Sequence, residues 1–161
     1  MLSRKAILGA TLAASAWIGL LLFPVRTLEL SSRSRNEVLW RARAAAGDVF
    51  TFVYIHSIEK IPVEGRFAVQ ADGMLRVVET RFASFGAGLP QAAKRSPDGK
   101  WLVAPGEERL REFTFFISPI NQARMRFKEC TLDLSQLLAP GDVATVKAAR
   151  HPYLLLYLNR S

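Results

Sequence analysis

From Val63 onward apolar and polar residues trade places with a period of two. Val63, Phe67, Val69 and Ala71 alternate with Glu64, Arg66, Ala68 and Gln70, the spacing of a strand with one buried face. Asp72-Gly73 follows, a pair that supplies the positive φ of a tight hairpin turn. The run from Met74 to Phe85 is therefore expected to pair back antiparallel. Ser96-Pro97-Asp98-Gly99, between Lys94-Arg95 and Trp101-Leu102-Val103, predicts a second hairpin turn, and Pro140-Gly141-Asp142 a third. Further strands are predicted over Thr27–Leu30, Glu37–Ala42, Val49–His56, Arg111–Ile117, Met125–Glu129, Val143–Ala148 and Tyr153–Leu158. Only Leu132–Leu138 suggests a helical turn or two. Many β-branched and aromatic runs with short polar breaks predict an all-β domain, an antiparallel sandwich or partly closed barrel.

The first residues follow a different rule. Arg4-Lys5 precedes an uncharged run from Ala6 to Val25 that contains Trp17, Ile18, Leu20, Leu21, Leu22 and Phe23. A helix of that length, at about 1.5 Å per residue, spans a hydrocarbon core of about 30 Å. The chain thus divides into a transmembrane signal anchor, residues 1–25, and a β-rich domain, residues 26–161. Ala14-Ser15-Ala16 has the small-x-small form of a signal-peptide cleavage site. Cleavage there would leave a second hydrophobic block, Trp17 to Phe23, on the mature chain, so an uncleaved anchor is the expectation and a secreted domain the alternative. Arg4 and Lys5 favour a cytoplasmic N-terminus by the positive-inside bias. In a bacterium this makes a single-pass inner-membrane protein with a periplasmic C-terminal domain.

Composition changes this picture little. The chain carries 22 Lys and Arg against 14 Asp and Glu, a formal charge of +8. The basic residues are scattered and alternate with apolar ones, as in Arg124-Met125-Arg126-Phe127-Lys128, which describes a solvated strand face better than a nucleic-acid footprint. No nucleic-acid partner is expected; attraction to anionic headgroups beside the tether is the better use of the charge. Cys130 is the single cysteine, which excludes an intrachain disulfide and provides no zinc-ligand spacing.

Two patches exceed what a β core requires. The first is His56-Ser57-Ile58-Glu59-Lys60-Ile61-Pro62-Val63-Glu64; the second is Ser84-Phe85-Gly86-Ala87-Gly88-Leu89-Pro90. His56 falls on the strand face of Phe50, Phe52 and Tyr54, where a histidine is either a hydrogen-bonded rim residue or a site residue. If Ile58 to Pro62 form a bend, Glu64 is expected to return near His56 and orient its imidazole. His-Ser-Glu does not make a hydrolase: neighbouring strand residues point to opposite faces, and no nucleophile elbow is present. Metal ligation by His56 with Glu59 or Glu64 has only a generic signature, and no cofactor is implied. In the second patch two glycines permit positive φ and close approach, and Pro90 fixes the exit direction. Its plain reading is a loop that packs Phe85 and Leu89 on the sheet. The hairpin across Asp72-Gly73 brings it beside Ile61 to Glu64.

Phe52-x-Tyr54-x-His56-Ser57-x-Glu59-x-x-Pro62-Val63-Glu64, with Glu79-Thr80-Arg81-Phe82-x-Ser84-Phe85-Gly86-Ala87-Gly88-Leu89-Pro90, resembles the bacterial domain of unknown function DUF1850. The likeness extends to the N-terminal anchor and overall length, and weakens from about Ile120. It implies a small exported or anchored protein, often encoded beside TRAP transporters of the TAXI class, and it singles out His56, Ser57, Glu59, Pro62, Glu64, Gly86, Gly88 and Pro90. Two functional readings result. The first is a non-enzymatic accessory protein whose His56/Glu64 and Gly86–Gly88 end, with Phe85, meets a TRAP-type permease or its periplasmic solute receptor. The second is a small-ligand or metal-binding domain that uses the His56/Glu59/Glu64 end as a pocket.

Overall fold

The computed structural model describes Leu21 and residues 23–154. These residues form two antiparallel sheets. The smaller has four strands in the order β2-β1-β12-β9: β2 Glu37–Arg43, β1 Pro24–Ser32, β12 Val143–Pro152 and β9 Phe113–Phe116. The larger has eight strands. Its order is β11 (Cys130–Asp133), β10 (Arg124–Phe127), β3 (Val49–Ile55), β4 (Pro62–Val69), β5 (Leu75–Phe82), β7 (Leu102–Pro105) and β6 (Lys94–Arg95), with β8 (Arg109–Leu110) on the start of β5.

The period-two pattern places one face of each sheet in a shared core. Leu28, Leu30, Ala144 and Val146 from the small sheet meet Phe50, Phe52, Phe67, Val69, Leu75, Met125 and Phe127 from the large one. Aromatic contacts fix how the sheets overlie. Trp40 of β2 meets Phe127 of β10 edge to face at 5.9 Å. Phe113 of β9 lies 4.8 Å from Phe52 and 4.6 Å from Phe67. A short helix, α1 (Leu134–Leu137), closes one side of the core: Asp133 caps it by accepting the Ser135 N–H at 3.1 Å, and Leu134 and Leu138 are buried.

The large sheet is therefore wider than the small one, and β5, β7 and β6 extend past the β9 edge. The apolar face left there forms a second cluster of Val63, Phe82, Leu102 and Ala104. Residues 83–93 fold back over it and insert Leu89, which is only 7% exposed. The glycine-containing patch thus closes an overhang.

Backbone hydrogen bonds define two ends. At the near end, where β1 starts, Ala44 N donates to Arg26 O at 2.9 Å and Arg26 Nη2 to Ala71 O at 2.6 Å, so the β4–β5 turn sits beside the first residues of β1. At the far end, Arg33 N donates to Val143 O at 3.0 Å, Ile117 N to Asp142 O at 2.8 Å and Ile55 N to Asn121 O at 2.7 Å. The His56–Ile61 bend lies at this far end.

The all-β antiparallel expectation holds, with the Asp72-Gly73 and Ser96–Gly99 turns in place: Gly73 has φ +87° and Gly99 φ +71°. The sheets do not close into a barrel, because the outer strands β6 and β11 pair with neither edge of the small sheet. Ala71 is exposed in the turn instead of facing the core. Pro140-Gly141-Asp142 does turn, with Gly141 at φ +92°, but it leads from α1 into β12 and makes no hairpin. β12 runs unbroken to Pro152 because Ala149 to Pro152 pair with Pro24 to Thr27. Tyr153 and Leu154 are a turn; the rest of the predicted last strand lies outside the described residues. So does nearly all of the predicted anchor; its last two residues, Pro24 and Val25, begin β1. Among the described residues no helix is long and apolar enough to cross a membrane.

Candidate functional site

Pairing of β3 with β4 ends at Ile55 opposite Pro62, and proline suits the first position of a strand because it has no N–H to give. The bend between them is closed by two backbone bonds, His56 N to Ile61 O at 2.8 Å and Lys60 N to His56 O at 2.9 Å. Lys60 takes the left-handed conformation, φ +55°, that the tight return demands. The imidazole completes the bend: His56 Nδ1 accepts the Glu59 N–H at 3.2 Å. A neutral imidazole that accepts at Nδ1 carries its proton on Nε2.

Glu59 joins the two patches. Its Oε1 accepts the Ala87 N–H at 3.3 Å, and a Cβ on Gly86 would stand 2.6 Å from Glu59 Cδ and 2.8 Å from Oε1. Glycine at 86 is what lets the carboxylate reach the loop backbone. Leu89 N then donates to Gly86 O at 3.2 Å across a turn with Gly88 at φ +76°, the third position at which a type II turn needs positive φ. Leu89 packs inward from this turn. Phe85 touches Phe82 edge to face at 6.0 Å yet stays 50% exposed, and Ile58 at the tip of the bend is 69% exposed. Ser57 and Pro90 are also exposed.

Glu64 does not meet His56. The register sets Glu64 opposite Val53 and Arg81, on the outer face of the large sheet, while His56 continues the core-face series of Phe52 and Tyr54. The carboxylate instead pairs with Arg126. Glu64 starts an ionic ladder across that outer face, continued by Glu79, whose Oε1 takes Arg66 at 3.0 Å and Arg81 at 2.7 Å. Burial raises the Glu79 pKa, but the two guanidinium groups outweigh it and hold the carboxyl below its ordinary value. Among the described residues no three His, Cys, Asp or Glu side chains are placed to share a metal ion.

Beside His56 the far end opens into a cleft of about 380 Å3, where Tyr54, His56 and Ser57 face Phe115, Phe116, Ser118 and Asn121 across the gap between the sheets. Burial pushes the Tyr54 hydroxyl above its usual pKa. Asn121 donates through Nδ2 to Phe116 O at 3.1 Å, while its Oδ1 is buried without a partner. Asn121 gives no sequence signal: it stands in an unpatterned loop, and only the fold carries that loop to His56. A second feature hidden from the sequence is Glu29, 2% exposed in the middle of β1. Arg41 Nε donates to its Oε1 at 2.5 Å, and His151 Nε2 lies 2.6 Å from the same oxygen. The two histidines therefore belong to opposite ends of the molecule.

Exposed large apolar side chains follow the same division. Ile58, Phe85, Phe116 and Ile120 rim the far end; Phe23 and Leu154 lie at the near end, where Tyr153 N donates to Phe23 O at 3.0 Å.

No curated protein and no solved structure matches the chain. The model of the domain of unknown function DUF1850 matches residues 50–134. The match begins in β3, contains both patches and every strand of the large sheet, and runs past Ile120 to the start of α1. With more than half of its length matched and both patches inside the match, the chain belongs to the DUF1850 family.

Proposed function

We propose that the protein is a non-enzymatic accessory subunit of a TAXI-class TRAP solute transporter. In this reading the apolar run ahead of β1 anchors it in the inner membrane, and the periplasmic domain presents its far end to the permease or the solute receptor. The observation that supports this most is that the two patches meet, through Glu59 and Ala87, at the end of the sandwich opposite the start of β1, and leave Ile58 and Phe85 exposed there. Neither side chain is needed to fill the core, and apolar groups grouped on one surface favour contact with another protein. Confinement to the same membrane raises the effective concentration of the partner, so a small contact suffices. His56, Glu59 and Gly86 then set the shape of the surface, and Ile58 and Phe85 make the contact.

The test is mild-detergent purification of the full-length protein from its own membranes. The permease is expected to co-purify, and Ile58→Asp or Phe85→Asp to reduce its recovery several-fold with no change in melting temperature. Equal recovery with both variants, or no permease at all, would overturn the reading.

The cleft beside His56 favours a second reading, a pocket for a small ligand oriented by Asn121 Oδ1 and the Tyr54 hydroxyl. Its ligand set is His56, Tyr54 and Asn121, since Glu64 is turned to Arg126. A small-molecule thermal screen in which hits vanish with Asn121→Ala would favour it over the accessory role.

A further inference from the structure

On the outer face of the large sheet a separate cleft of about 640 Å3 runs between β5 and the β6–β7 hairpin. Its volume is within the range of small-molecule sites. Arg81 and Lys94, on either side of Val103, supply its charge, and Trp101 with Val103 and Pro97 an apolar wall. Two carboxylates also line it, and both are already engaged. Glu79 is shared by Arg66 and Arg81. Asp98 is turned into its own hairpin, where its Oδ1 accepts Ser96 Oγ at 2.5 Å and the Lys100 N–H at 3.2 Å. Lys94 has no carboxylate partner among the described residues, and Arg95 donates only to a backbone oxygen, Gly99 O, at 2.9 Å. Lys94, opposite Val103, thus faces the cavity without a carboxylate partner, beside an indole, while Arg95, opposite the buried Leu102, belongs to the other face of the hairpin.

Basic residues on a two-residue edge strand also discourage edge-to-edge pairing. That role needs neither a tryptophan wall nor a cavity of this size. We infer that the cleft is a binding site for a small organic anion, a carboxylate on a flat apolar body, with the carboxylate held by Lys94 and the body laid against Trp101. Ammonium and guanidinium groups give charge-assisted bonds to a carboxylate, and the indole face accepts a planar group.

The inference is independent of the accessory role, because the cleft contains neither patch. Benzoate is the probe and benzamide its uncharged counterpart, titrated into the detergent-solubilised full-length protein while tryptophan fluorescence is followed. Benzoate is expected to give a saturable change with half-saturation below about 1 mM, and benzamide none. Trp101→Phe should remove the signal, leaving Trp17 and Trp40 unresponsive. Lys94→Gln should weaken binding about ten-fold or more; the side chain is exposed, so the fold is unaffected. An unsaturable response, an equal response to benzamide, or unchanged affinity in the Lys94→Gln variant would overturn the site.

Discussion

Asp142 holds the far end together, and its removal has a calculable cost. The carboxylate is 5% exposed and accepts four hydrogen bonds: from Ser32 Oγ at 2.5 Å, Ser34 Oγ at 2.7 Å, Ser34 N at 3.0 Å and Val143 N at 2.7 Å. Burial raises its pKa, but these donors outweigh that and lower it from 3.8 to about 2. Each pKa unit corresponds to about 1.4 kcal/mol, so the ionised carboxylate contributes about 2 kcal/mol to the folded state. The folded pKa is depressed. The contribution is therefore complete above pH 3.8, the unfolded value, and is lost as pH falls through that value to about 2. Asp142→Asn keeps the shape and removes the charge. Urea denaturation at pH 7 should show the variant less stable by about 2 kcal/mol, and the difference should shrink toward zero as the pH approaches 2. A difference that stays the same across that range would refute the assignment of stability to the charged, hydrogen-bonded carboxylate. The consequence reaches the cleft, because Asp142 O accepts the Ile117 N–H that starts the loop carrying Asn121.

Three further outcomes test the account. Gly86→Ala should push the Glu59 carboxylate off the Ala87 N–H, speeding amide exchange at Ala87 while lowering global stability by less than about 1 kcal/mol; unchanged exchange would mean that Glu59 does not hold the loop. Leu89→Ala should cost about 2 kcal/mol in a denaturant melt, by opening the overhang cluster of Val63, Phe82, Leu102 and Ala104; a cost near zero would deny Leu89 its place as the plug. Glu79→Gln should leave Arg66 and Arg81 without their shared carboxylate and tighten benzoate binding in the neighbouring cleft, read by the same fluorescence titration. Weaker binding would contradict the charge balance assigned there.

The strands were legible because one face of each is buried. Val63, Phe67 and Val69 face the core, although Ala68 on the other face is buried too and the β4–β5 register shifts between Arg66 and Phe67, and the Asp72-Gly73 turn fixed which strand follows. The overhang was not legible, since alternation within a strand carries no information about how far one sheet extends beyond another. The glycine patch reads as a loop that packs Phe85 and Leu89 on the sheet; Leu89 does insert over Phe82 and Leu102, while Phe85 stays half exposed. The proximity of the two patches could be argued from the hairpin alone, and Glu59 meets Ala87 there. The pairing of His56 with Glu64 failed on register: a bend closed by His56 N and Ile61 O leaves Glu64 opposite Val53, on the other face. Glu29 and His151 are distant in sequence and become neighbours through the β1–β12 pairing. Cys130–Asp133 was missed as a strand because it is short and has one face half exposed.

The central claim is that the far end of the sandwich meets a transporter subunit. Site-specific photo-crosslinking in native membranes tests it most directly, with the photoreactive residue placed at position 58 or 85 and, for comparison, at Glu107 on the wide sheet's near side. Crosslinks to the permease or its solute receptor from 58 and 85, and none from 107, are the predicted result. Crosslinks from 107 alone, or from no position, would contradict it.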